Sequence, residues 1–143
     1  MEGGKVLEGY ISELGATVAE VRASNRPEFG RMGERLGEAV VALAEASRWL
    51  GSALRTNPDA ALAGASPYLR LFGLAAGGVY LAKGALAAAR EGAANGQGEA
   101  AAQAIAIARF FAETLVTAAP GLKETVIAGA DATLALTPQA LSA

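Results

Sequence analysis

A chain of 143 residues with net charge -2, 52% hydrophobic and 18% charged residues is long enough for one domain that buries roughly two thirds of its unfolded surface and too apolar to be disordered. Its acids and bases are interspersed, which leaves no basic patch for nucleic acid. The absence of Cys and His excludes disulfides, thiol nucleophiles, imidazole bases, zinc-hydrolase sites and Glu-x-x-His di-iron pairs, so only carboxylate or lysine chemistry stays open.

With aromatics at 6%, the core must be filled mostly by Ala, Leu, Val and Ile, which suits helices. The first periodic stretch, residues 5–23, sets Leu7, Tyr10, Ile11, Leu14, Val18 and Val21 on one stripe, with Glu8, Glu13, Glu20 and Arg22 off it. That is an amphipathic helix. Ser24, Asn25, Arg26 and Pro27 break it, because proline disfavours helix at the residue before it and cannot donate to the preceding turn. A second helix, from Glu28 or Arg31 to Arg55, spaces Met32, Leu36, Val40, Leu43, Ser47, Leu50 and Leu54 by threes and fours, with Trp49 on a flank of Ala42, Ala46 and Ala53.

Thr56, Asn57 and Pro58 end that helix, and residues 59–65 read as a short connection with room for one helical turn. Ser66 followed by Pro67 marks a third helix start, since Ser suits the N-cap and Pro the first helical position. Tyr68, Leu69, Leu71, Phe72, Leu74, Val79, Tyr80, Leu81 and Leu86 surround the whole circumference of this helix, the pattern of a central helix buried on nearly all sides. Gly92, Asn95, Gly96 and Gly98 form the loop that follows.

A fourth helix over residues 99–118 turns Ile105, Ala108, Phe111, Ala112 and Leu115 inward, and Pro120 with Gly121 kinks or breaks it. A fifth segment runs over residues 122–134, and residues 137–143 read as a frayed tail. The reading is all-α, one domain over residues 1–143, an up-and-down bundle of four main helices with the last broken near Pro120. Acidic Glu2 and the Gly3-Gly4 pair are unlike a signal peptide. The charge-free run over residues 71–82, flanked by Arg70 and Lys83, is too short to span a membrane, so a soluble protein is expected.

Gly73, Gly77 and Gly84 fall on one face of the third helix together with Arg70. Glycine inside a helix costs about 0.5 to 1 kcal/mol relative to alanine, so these positions predict close packing against a neighbouring helix, with a ligand groove as the lesser alternative. The G-x-G-x-x-G spacing of a dinucleotide loop is missing. Arg70 and Lys83 are the only charges between Asp59 and Arg90; each must reach the surface, pair with a carboxylate of the bundle, or touch another domain or subunit. Arg109 and Glu113 stand four residues apart as a structural pair. Glu34, Glu38 and Glu45 alternate with Arg31, Arg35 and Arg48 as a solvated face of weak ion pairs. No catalytic, cofactor-binding or metal-ligating residue is assigned; Arg70, Gly73, Gly77, Lys83, Gly84 and Arg109 are candidates for packing or an interface.

The segment SPYLRLFG from Ser66 to Gly73, the following Gly77-Gly78 pair and the Leu81, Ala82, Lys83 triplet form a specific pattern. Together with the seam from Leu36, IARFFAETL over residues 107–115 and AGADATLAL over residues 128–136, it resembles the C-terminal helical extension of long bacterial acyl-CoA dehydrogenases, the subfamily that includes the methylthiopropionyl-CoA dehydrogenases. In that family FAD and the catalytic glutamate belong to domains upstream of the extension, and no Glu of this chain matches the catalytic-base motif. The resemblance therefore implies an accessory domain of a cytoplasmic, FAD-dependent oxidoreductase of fatty acid metabolism. The parent desaturates acyl-CoA at the α,β bond, the catalytic domains are its partners, and a homodimer is expected. The chain alone should hold no cofactor and be inactive. Met1 to Lys5 fit a domain excised at a Gly-Gly connection. Two other classes stay open: a stand-alone helical protein-interaction module, and a membrane-surface module that lays the third helix on lipid.

Overall fold

Asn25 and Gly30 are where the chain first reverses, and both have positive φ, 52° and 54°. Between them Pro27–Phe29 makes one 3-10 turn that drives Phe29 into the core, where 2% of it is exposed. This structure, a computed structural model, describes residues 2–96 and 98–142. Its main helices are α1 (Glu2–Ser24), α2 (Met32–Thr56), α3 (Pro58–Asn95), α4 (Gly98–Phe110) and α5 (Ala119–Leu134), followed by the short α6 (Pro138–Leu141). All regular structure among the described residues is helical.

The glycine contacts and polar pairs define how the helices lie together. Gly33 of α2 sits against Val21 and Arg22 of α1, and Gly37 faces Val18. The Tyr68 hydroxyl of α3 and Ser47 of α2 share a hydrogen bond of 2.8 Å, while Leu36 of α2 reaches Gly78 of α3. Gly64 of α3 lies under the Val126 carbonyl of α5, and Lys123 of α5 binds Glu45 of α2 at 3.2 Å. Tyr10 of α1 stacks on Phe72 of α3 at 5.7 Å. α3 touches α1, α2, α4 and α5, so it is central, as its sequence predicts.

Several expectations need correction. The third helix begins at Pro58, not at Ser66: Asn57 accepts the Ala60 N–H at 3.3 Å and caps the start, and Pro67 lies inside the helix. Packing outweighs the local start signal here, because Ala60, Ala61 and Gly64 are buried against neighbours that a connecting loop would not supply. Nor is α3 buried all round. Leu62, Leu69 and Tyr80 are 72%, 69% and 77% exposed.

The last long helix is not broken at Pro120, which sits in the first turn of α5 where its missing N–H is harmless. The irregularity lies upstream, a π turn over Phe111–Leu115 followed by a 3-10 turn over Val116–Ala118. A π turn unwinds the helix and a 3-10 turn overwinds it, so the core stripe of Ile105, Ala108 and Ala112 resumes at Ala119 and Val126. Between the two turns, Leu115 is left 46% exposed and Val116, at 1%, takes the core position predicted for Leu115. The side chains of Thr114 and Thr117 bond back to the Phe110 and Thr114 carbonyls, occupying acceptors at the irregular turns.

The loop glycines divide as well. Gly92 is helical, and Gly96 is the left-handed cap of α3 with φ 70°. The tail expected to fray forms the single turn α6, where the Thr137 side chain caps the Ala140 N–H at 3.1 Å. Finally, the helical spans Pro58–Gly92 and Gly98–Leu134, of 35 and 37 residues, are long and apolar enough to cross a membrane by length and composition. The expectation based on the charge-free run alone was too narrow, since Arg70 and Lys83 do not interrupt the helix; core helices of soluble proteins pass the same test.

Candidate functional site

The SPYLRLFG segment explains itself once its register is seen. Leu71 is fully buried, Phe72 stacks on Tyr10 and packs beside Tyr68 at 6.4 Å, and Tyr68 ties to Ser47. Those three anchor α3. The residues around them, Ser66, Leu69, Arg70 and Gly73, all face outward, and helical periodicity continues that face through Tyr80, Gly84, Ala87 and Glu91, each exposed.

The glycines therefore do something different from what their spacing predicts. A Cβ placed on Gly73 or Gly84 would meet no atom within 4 Å, and one on Gly77 would meet only the Phe111 ring at 3.8 Å, an ordinary contact. Among the described residues, no helix backbone lies against them. The crowded glycines of α3 are Gly78, where a Cβ would stand 2.7 Å from Leu36 and 3.0 Å from Val116, and Gly64, where it would stand 3.1 Å from the Val126 carbonyl oxygen. Sequence reasoning passed over both: Gly78 is the second glycine of a pair, and Gly64 falls in a stretch read as a connection. The helix-favouring run Ala60, Ala61, Leu62 and Ala63 just before Gly64 is the signal in the sequence that points to it.

Arg70 and Lys83 are exposed and make no ion pair among the described residues. They flank the outward face of α3 instead of entering the core. The result is a long, mostly apolar face with cations at its edges, carrying Arg70, Gly73, Lys83 and Gly84 together, with Gly77 at its margin.

Arg109 belongs to a second site. Its guanidinium binds Glu113 at 3.0 Å, as their spacing predicts, and Glu113 also accepts the backbone N–H of Arg31 at 2.6 Å. The Arg31 N–H above all, and then the Arg109 guanidinium, hold the Glu113 carboxyl below the usual carboxylate range. Gly30 lies against both side chains. Of the α2 ion pairs, Arg31–Glu34 and Arg35–Glu38 form at 2.7 and 3.1 Å, whereas Glu45 is taken by Lys123 rather than Arg48. All are solvent-accessible and contribute little each.

An open groove of about 710 Å³ runs beside this node, floored by Ala101, Ala102, Ile105 and Ala106. It does not fit a flavin. The cations at its rim, Arg26 and Arg109, are engaged by Glu28 and Glu113, and the rest of its lining is alanine and glycine with Ile105, Phe110 and Thr114. Among the described residues no three His, Cys, Asp or Glu side chains converge on a metal position.

By class this is an all-helical domain whose polar clusters tie helices together and whose central helix leaves one mostly apolar face open. Residues 10–137 match the family model described as acetyl-CoA dehydrogenase C-terminal like, and the chain belongs to that family. No curated protein and no solved structure matches it.

Proposed function

We propose that the chain is the accessory C-terminal domain of a FAD-dependent acyl-CoA dehydrogenase of the methylthiopropionyl-CoA dehydrogenase type, where it packs against the catalytic domains or forms part of the subunit interface. The observation that carries this reading is the family match over residues 10–137 joined to the outward apolar face of α3, which such a docking role would cover. The SPYLRLFG segment supports the subfamily. On this reading the parent reaction is α,β-desaturation of an acyl-CoA with electrons passed to flavin, and the whole enzyme is cytoplasmic and homodimeric. The contacts of α1 with α2, α2 with α3 and α3 with α4 and α5 support one up-and-down bundle of four main helices. Arg70 and Lys83 on α3, and Arg109, Glu113, Lys123 and Glu124 along the last long helix, speak against either one crossing a membrane.

The test is the coding sequence upstream of Met1. In-frame flavin-binding and catalytic domains are expected there, and a stop codon immediately ahead of Met1 would overturn the reading in favour of a stand-alone interaction module. Co-sedimentation of the chain with anionic lipid vesicles would favour a membrane-surface module instead.

A further inference from the structure

We infer that the outward face of α3 pairs with the same face of a second copy, antiparallel, about a two-fold axis passing between Ala76 and Gly77. The inference rests on the homodimer proposed above and gives it a surface and a register.

The face alternates projections and gaps. Leu69 and Tyr80 project from it with more than two thirds of their surface exposed, and Gly73 and Gly84 leave open space where a Cβ would be. Each projection precedes its gap by four residues. Turning a second helix end over end with Ala76 opposite Gly77 sets Leu69 over the partner's Gly84 and Tyr80 over the partner's Gly73, with Ser66 against the partner's Ala87. A projection then fills a gap at every step, which is what close helix packing requires. A parallel pair in register would set Leu69 on the partner's Leu69 and leave the glycines facing each other across voids.

With a rise of 1.5 Å per residue, this register holds Arg70 about 20 Å from the partner's Arg70 but sets it level with the partner's Lys83. A cation stands level with a cation in either orientation, so the fit of projections to gaps alone selects the antiparallel one. The face from Leu62 to Glu91 is about 45 Å long and about 10 Å wide, so it buries on the order of 500 Å² per copy, the low end for a specific dimer. A weak, two-fold, isologous contact follows.

Because the chain has no cysteine, introduced thiols report position without background. In mild oxidant, Leu69→Cys mixed with Gly84→Cys is expected to give a mixed disulfide dimer, while either variant alone stays largely uncrosslinked. In sedimentation equilibrium across a concentration series, the chain should dimerise, and Leu69→Glu should raise the dissociation constant about tenfold or more. Val41→Glu, on the exposed side of α2, should leave it unchanged. Leu69 makes no core contribution, so circular dichroism should be the same for all variants. A chain that stays monomeric, a dimer indifferent to Leu69→Glu, or Leu69→Cys cross-linking to itself would each overturn the pairing. None of these outcomes bears on the accessory-domain reading, whose failure shows in the upstream coding sequence.

Discussion

The Glu113 carboxylate and the Arg31 backbone N–H are 82 residues apart in sequence and 2.6 Å apart in space. α2 begins without a side-chain cap from its own sequence, and the carboxylate of Glu113 takes that place at the positive end of the helix dipole. The π turn that carries Glu113 is thus tied to the start of a different helix, and Arg109 holds the carboxylate from the other side.

This tie should be visible in acid. The folded-state pKa of Glu113 is lowered, so its contribution is fully present above the unfolded carboxylate value of about 4.3 and is lost as pH falls through the folded value. Glu113→Gln should lower stability by about 1 kcal/mol at neutral pH, and its urea midpoint should fall less than the parent's between pH 5 and pH 3. Equal acid dependence in both proteins would remove Glu113 from this role.

Gly30 combines a φ of 54° with side chains of Arg109 and Glu113 occupying the space of a Cβ. Gly30→Ala should therefore cost more than the usual 1 kcal/mol or so of left-handed strain, read as a lower urea midpoint. It should also reduce the acid sensitivity that Glu113 confers, because the displaced side chains lose their geometry.

Two glycine-to-alanine changes should have opposite signs. Gly78→Ala forces a methyl group against Leu36 and Val116, and overpacking of about 1 to 3 kcal/mol exceeds the helix-propensity gain of at most about 1 kcal/mol. Gly51→Ala in α2 meets nothing within 4 Å and should raise the thermal midpoint by that propensity gain.

The exchange of Leu115 for Val116 at the π turn makes a further contrast. Val116→Ala should destabilise by about 1.5 kcal/mol or more, whereas Leu115→Ala, at a position 46% exposed, should cost well under 1 kcal/mol. If the larger loss follows Leu115→Ala, the helix continues without the π turn.

The purified chain should be colourless and should not reduce an electron-accepting dye with acyl-CoA and added FAD. A flavin absorbance band co-purifying in stoichiometric amount would refute the assignment of cofactor binding to domains outside residues 10–137.

Helix type and most core positions were legible in the sequence, because the Met32, Leu36, Val40, Leu43 seam and the Leu14, Val18, Val21 stripe follow from periodicity alone. What the pattern could not show was competition between signals of equal strength. Asn57-Pro58 and Ser66-Pro67 are both good helix starts, and only the burial of Ala60, Ala61 and Gly64 decides between them. The π turn leaves no compositional mark, so Leu115 and Val116 were exchangeable on paper. For the interface candidates, spacing puts Gly73, Gly84 and Arg70 on one face, but an intrachain contact and an outward face share the same periodicity, and the distinction needs neighbours. The Arg109–Glu113 pair was readable because it is local; the link to Arg31 was not.

The core described above contains few large side chains: Met32, Leu36, Leu43, Leu71, Val116 and Val126 are the largest fully buried ones, and alanine fills most other inward positions. Such an interior has a lopsided tolerance to substitution. There is little volume to delete at Ala39, Ala46, Ala75, Ala82 or Ala112, and no room to add any, since helices packed through alanine leave no slack for an extra methylene. Sequence drift in this domain is therefore channelled to its outer faces, while the inner positions can change only in compensated pairs, one side chain growing as its neighbour across the seam shrinks.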